Sequence, residues 1–265
     1  MNFREMAATL KVAGYSPSKA NAKIAHDLVL KAIEASGFHD NVTIKGGVVM
    51  SGITDAVRRV TLDMDIDFLG YSLDDASIRR FVQHLNKDIG CKIRIDGAVQ
   101  ELRQREYKGK RVNLVMTDDV GYSIKTKIDI GVHSNKSIEQ VDFRFKVITD
   151  ERGVVLLVNP KEQIFVEKLK SLLQLGVVST RYKDVYDLFY LCSQVDVKVL
   201  SNYLRMCIFM DEGMLENNVR DIERRLSRIF ANKTFLKRMA NPNYAWLDEP
   251  VESVVRVLME FLKRL

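Results

Sequence analysis

Residues 45–70 read KGGVVMSGITDAVRRVTLDMDIDFLG, and the rest of the chain is best read outward from them. Three aspartates, Asp63, Asp65 and Asp67, alternate with the apolar series Val60, Leu62, Met64, Ile66 and Phe68. Successive strand side chains point to opposite faces, so the apolar set predicts a buried face and the carboxylates share the other, roughly 7 Å apart from i to i+2. Neighbouring carboxylates repel and raise one another's pKa, a cost that a bound divalent cation removes. Hard oxygen ligands on a strand suit Mg²⁺, or Mn²⁺, held together with phosphate oxygens. An edge strand that wears acids on its wet face to discourage aggregation has the same pattern. Gly46 and Gly47 shift the balance towards a site, because they follow a strand pattern (Val42 to Ile44) and precede a helix pattern. Glycines there let backbone N–H groups approach a phosphate.

The order Gly46-Gly47, then Arg59-x-Thr61-x-Asp63-x-Asp65, resembles the signature of the AbiEii/AbiGii toxin family of bacterial nucleotidyltransferases, a branch of the DNA polymerase β-like superfamily. The resemblance implies that Asp63 and Asp65 bind the metal. It also implies that Lys45, the Gly46-Gly47 turn, Arg59 and the Thr61 hydroxyl hold a nucleoside triphosphate. Asp67 leaves a competing frame open, Asp65 with Asp67. The family's later motifs, E-K-L and R-x-K-D-x-x-D, are matched at Glu167-Lys168-Leu169 and from Arg181 to Asp187. By that resemblance Lys168 contacts the triphosphate as pyrophosphate leaves and Asp184 is an essential acid near it. Arg181 and Lys183 bind phosphate or the acceptor. Read without the family, the same residues make ordinary surface salt bridges at i,i+3 and i,i+4 spacing.

A third acid completes the set. In YSIKTKIDIGV (122–132), Ile124, Thr126, Ile128 and Ile130 share one face, and Lys125, Lys127 and Asp129 the other. Polymerase-like transferases use a carboxylate from a neighbouring strand, so the resemblance makes Asp129 a metal ligand or the base for the attacking hydroxyl. The alternative is a cross-strand partner for a nearby lysine.

Outward from the motif, residues 18–36 read as an amphipathic helix with Ile24, Leu28, Ala32 and Ala35 on one stripe, stopped by Gly37. The first dozen residues predict a separate short helix. Residues 74–90 predict a helix capped by Asp74 or Asp75 and ended by Gly90. From Lys92 to His133 the period falls to two, with strands over 92–104, 110–119 and 122–132 and a hairpin turn at Asp118, Asp119 and Gly121. Two further strand patterns end at Asn159-Pro160, after which helical spacing dominates. The expected class is α/β (α+β): a nucleotidyltransferase-type mixed sheet with flanking helices over 1–159, then a helical bundle over 160–265 that completes the active site.

Composition narrows the function. The chain has 265 residues, 46% of them apolar, which suffices for a substantial core. No run of about 18 apolar residues and no signal-peptide pattern is present, which predicts a cytoplasmic protein without a membrane partner. Three scattered cysteines read as buried free thiols, and four histidines show no zinc-ligand spacing. The formal net charge of +6 lies away from the acidic motif and suits an anionic polymer, with the markedly basic stretch 220–238 as the best candidate for an RNA backbone. The leading expectation is a metal-dependent toxin of a toxin–antitoxin or abortive-infection system of phage defence. It would transfer a nucleoside monophosphate from an NTP to an acceptor, with the 3′ end of tRNA implied by the family, and be opposed by an antitoxin encoded next door. Adenylylation of a small molecule or protein, and a non-catalytic binding module on the same fold, remain the alternatives.

Overall fold

The computed structural model describes residues 1–265 apart from 88, 105–106 and 134–136, and apart from the side chains of 103–108. The chain divides into two compact units, Met1–Asn159 and Pro160–Leu265.

The first unit is a mixed sheet with helices packed on it. Its strands are β1 (Val42–Lys45), β2 (Met64–Phe68), β3 (Lys92–Ile95), β4 (Gln100–Gln104), β5 (Tyr107–Thr117), β6 (Ser123–Val132), β7 (Val141–Val147) and β8 (Asp150–Val158). They lie in the order β3-β5-β6-β2-β1-β8-β7, with β4 paired to β5. Among the described residues only β2–β6 and β1–β8 run parallel. β2 is therefore the middle strand, paired on both sides, and its acids are not guards on an exposed edge.

The expected alternation holds where the strand exists: Met64, Ile66 and Phe68 are fully buried. It begins later than the sequence suggested. Val57–Arg59 form one turn of 3₁₀ helix, the strand starts at Met64, and Leu62 is 54% exposed. Helix α1 (Phe3–Val12) is capped by the Asn2 side chain, and α2 (Pro17–Ser36) ends at Gly37 in a left-handed conformation. α2 is buried through Ile24, Leu28, Leu30, Ala32 and Ile33, whereas Ala35 is exposed instead of completing the stripe. Helix α3 (Gly46–Thr54) follows β1 directly. Helix α4 (Asp75–His84) takes Asp74 as its cap but stops before Gly90, because the Asn86 side chain turns the chain by bonding the backbone of Val82 and Ile93. Edge-to-face contacts among Phe38, Phe68, Tyr71 and Phe81, with centroids 5.1–5.3 Å apart, tie β2 to α4. The stretch 92–104 is two strands, β3 and β4, both paired to β5. The β5–β6 turn is closed by Asp118, whose carboxylate accepts from Val120, Tyr122 and Phe3 backbone N–H groups.

The described residues of the second unit are helical or in loops. They form α5 (Lys161–Leu175), α6 (Tyr182–Leu191), α7 (Val197–Leu204), a π-helical turn at Arg205–Phe209, α8 (Val219–Phe230), α9 (Lys233–Met239) and α10 (Val251–Leu262). Ile164, Phe165, Leu169, Leu172 and Leu173 of α5 are buried as their spacing predicts, with Val185, Leu188 and Leu191 of α6. The three cysteines are free and half-buried, not fully enclosed. Among the described residues no helix is long and apolar enough to cross a membrane.

Candidate active site

β2 and β6 run parallel with Asp65 directly opposite Asp129 and Met64 opposite Ile128. The two carboxylates therefore share a face on adjacent strands, while the isoleucines and Met64 fill the core behind. Asp63 stands just before β2 and is half-exposed, at 51% of its side chain. Each flanking acid faces a cation. Arg111 on β5, opposite Asp129 in the antiparallel β5–β6 ladder, donates Nε and one terminal nitrogen to its two oxygens, each at 2.7 Å. That bidentate bond raises the Arg111 pKa above its ordinary value, and the nearby charges of Asp63 and Asp65 add to it. Lys127 Nζ lies 3.0 Å from Asp63, and Lys45 Nζ 2.8 Å from Asp67. Asp67, only 5% exposed, is the most enclosed of the three alternating acids. Lys125, a candidate partner for Asp129 on sequence alone, instead pairs with Asp96 at 2.9 Å.

The N-terminus of α3 is pressed against this acidic face. Gly46 has φ +65°, and a Cβ there would lie 2.5 Å from Asp65 Oδ2. A Cβ on Gly47 would lie 2.8–3.0 Å from the Thr61 side chain. Only glycine lets the start of this helix come so close, and in that place its positive dipole end favours anions. Thr61 Oγ1 accepts from the Asp63 backbone N–H at 3.4 Å, and the Arg59 carbonyl accepts from Ser51 Oγ at 3.2 Å. Arg59 itself is buried, at 3%. Underneath, His26 donates to the Leu62 carbonyl, and burial pushes its pKa down to about 4. Its Nε2 is buried without a hydrogen-bond partner.

In the second unit Lys168 is only 8% exposed. Its Nζ lies 2.5 Å from Asp184 Oδ1 and 2.8 Å from Asp187 Oδ2, so one ammonium joins two acids of α6. This is a largely buried inter-helix clasp, unlike the surface pairs along one helix that spacing alone allows. Arg181, next to the start of α6, is exposed, and Lys183 is half-buried.

A family model for the nucleotidyl transferase AbiEii toxin of type IV toxin–antitoxin systems matches residues 28–210, more than half of the chain. The chain belongs to the AbiEii family. The matched span takes in the glycine turn, the three alternating acids, Asp129 and the α5–α6 clasp. It ends before α8.

Three residues of this AbiEii chain escaped the sequence reading: Arg111, Lys127 as the partner of Asp63, and Asp187 as the second partner of Lys168. Arg111 was within reach, because a hairpin turning at Asp118–Gly121 sets residue 111 against residue 129. As for a metal, the candidate donors Asp63, Asp65 and Asp129 are hard oxygens on adjoining backbone, as Mg²⁺ requires. Among the described residues no three potential ligands are gathered tightly enough to hold one ion, and Asp63 and Asp129 face Lys127 and Arg111. The donor chemistry fits; a cation would take over charge that these two side chains now offset.

Proposed function

We propose that this AbiEii protein is a metal-dependent nucleotidyltransferase toxin that moves a nucleoside monophosphate from an NTP to a hydroxyl of an RNA acceptor, the 3′ end of tRNA. The observation that carries the reading is the pairing of Asp65 with Asp129 beside a helix N-terminus that only glycine permits so close. Phosphate groups there meet the positive end of a helix on one side and carboxylates on the other.

Asp63, Asp65 and Asp129 would hold Mg²⁺ or Mn²⁺, which when bound neutralises phosphate charge and activates the acceptor hydroxyl. The half-exposed Asp63 supports the Asp63/Asp65 frame over Asp65/Asp67, because Asp67 is buried against Lys45. That pairing gives Lys45 a second role, anchoring the Asp67 side chain beside the glycine turn. Gly46 and Gly47 orient the triphosphate through backbone N–H groups, and Thr61 fixes the Asp63 backbone. Asp129, held in place by Arg111, has lone pairs left to accept the hydroxyl proton as that oxygen attacks the α-phosphorus and the bond to the β-phosphate breaks. Within 160–265 the proposal assigns Lys168 to the charge of the departing pyrophosphate, held by Asp184, with Arg181 and Lys183 for phosphate or acceptor. A cognate antitoxin and a cytoplasmic setting complete the reading, in which 1–159 is the nucleotidyltransferase domain and 160–265 a helical domain.

Incubation with Mg²⁺, labelled NTPs and total tRNA tests the proposal. Label should reach RNA with the wild type and not with Asp63→Ala, which is exposed enough to spare the fold. Transfer only to protein or a small molecule, or equal transfer by Asp63→Ala, would refute it.

A further inference from the structure

Between Arg220 and Arg238 seven Lys or Arg stand against two acids, so a net +5 of the chain's formal +6 lies in this one stretch. α8 sorts that charge by face. Ile222, Leu226, Ile229 and Phe230 are buried, while Arg220, Arg224, Ser227 and Arg228 are exposed on the opposite side. At i, i+4 and i+8 the arginines form a stripe with about 6 Å of axial rise between neighbours. A shallow groove along it is lined by Asn218, Arg220, Glu223, Arg224, Ser227 and Arg228.

The cations differ in what they already do. Arg225 turns inward and donates to the Leu173 carbonyl at 3.3–3.4 Å, near the end of α5. Arg224 pairs with Asp221. Arg220, Arg228, Lys233, Lys237 and Arg238 make no ion pair among the described residues. The described residues of 219–239 also include no exposed large apolar side chain. A protein-binding face normally has an apolar or aromatic centre, and base stacking needs aromatic rings. Neither is available on this stripe, which leaves phosphate contact. The stripe also lies outside the region matched by the family model, which ends at residue 210.

We propose that the Arg220–Arg224–Arg228 face of α8 docks the sugar-phosphate backbone of the RNA acceptor without reading its sequence. Only the nature of the acceptor is taken from the proposed function.

The test is anisotropy of labelled tRNA with the full chain, free of NTP and divalent ions, across about 50 to 200 mM salt. Replacing Arg220, Arg224 and Arg228 together by Gln should weaken binding about tenfold or more and flatten the log–log salt slope by about 2 to 3. Replacing them by Lys should keep both affinity and slope. Removing the same charge from exposed Lys87, Lys92 and Arg94 of the first unit should change affinity less than twofold, and circular dichroism checks that each variant is folded. The proposal is overturned if the Gln variant binds like wild type, if the control loses as much, if duplex DNA of matching length is preferred, or if the face proves to hold an acidic protein instead. Stripe-dependent binding without nucleotidyl transfer would sink the chemistry alone. Transfer with stripe-independent binding would sink this surface alone.

Discussion

Arg111 reaches across the β5–β6 ladder to grip both oxygens of Asp129, with each N–O distance 2.7 Å. Asp129 in turn lies directly opposite Asp65 on β2. One guanidinium thus steadies the carboxylate nearest the central acid. Arg111→Lys keeps the charge but cannot reproduce the two-pronged bond. We expect it to destabilise the fold by about 1 kcal/mol, read by urea denaturation, since the pair is partly open to water. Nucleotidyl transfer should fall at least about tenfold. Unaltered transfer would detach Arg111 from the site.

Gly47 and Thr61 occupy touching space, so their substitutions should not add. Gly47→Ala brings a methyl group to 2.8 Å from the Thr61 Cβ and should cost about 1 to 3 kcal/mol. Thr61→Gly removes that atom, and the double variant should recover on the order of 1 kcal/mol of the sum in a double-mutant cycle. Thr61→Ala should recover little, because its Cβ remains. Additive costs would mean that helix and loop move apart freely.

Lys168 stands between Asp184 and Asp187, whose side chains are 14% and 0% exposed. Removing its charge strands two enclosed carboxylates, so Lys168→Ala should lose about 3 kcal/mol or more, beyond any effect on activity. Thermal unfolding separates the two effects. Asp187→Asn, which keeps one acid for the ammonium, should cost less than Lys168→Ala. If Lys168→Ala melts like wild type, the clasp contributes nothing to the fold.

His26 predicts an acid-sensitive fold. Its folded pKa, about 4, lies below the ordinary 6.5, so between these values the unfolded chain binds more protons than the folded one. Stability should fall as pH drops through that window, by on the order of 3 kcal/mol if His26 acted alone. Burial raises the pKa of Asp27, which works in the opposite direction on acidification and offsets part of the loss. Urea midpoints across the window should therefore decline in wild type. They should decline less in His26→Leu, which gives up only the bond to Leu62; parallel declines would assign the sensitivity elsewhere.

Much of this was legible in the chain because alternation and glycine placement are local. Met64, Ile66 and Phe68 are inward, Gly37 and Asp74 bound their helices, and Asp118–Gly121 turns the hairpin, as their residue types require. The misjudged features depend on distant parts of the chain. Leu62 continues the apolar rhythm of β2, yet it lies before the strand begins and is left exposed. Lys168 reads as peripheral on a helical wheel until α6 brings two acids to it. That β2 is the middle strand, which separates a site from an edge decoration, depends on how eight strands are ordered.

The same middle placement limits how the chain can change length. β2 is locked by ladders to β1 and β6, so one extra residue within 64–68 would have to be expelled or would turn the strand over. Past that point carboxylates would face the packed interior and Phe68 would face water. The hairpin tip at Val120 and Gly121 is exposed and can lengthen without that penalty. Insertions and deletions in natural variants should gather at such tips and spare the five residues of β2.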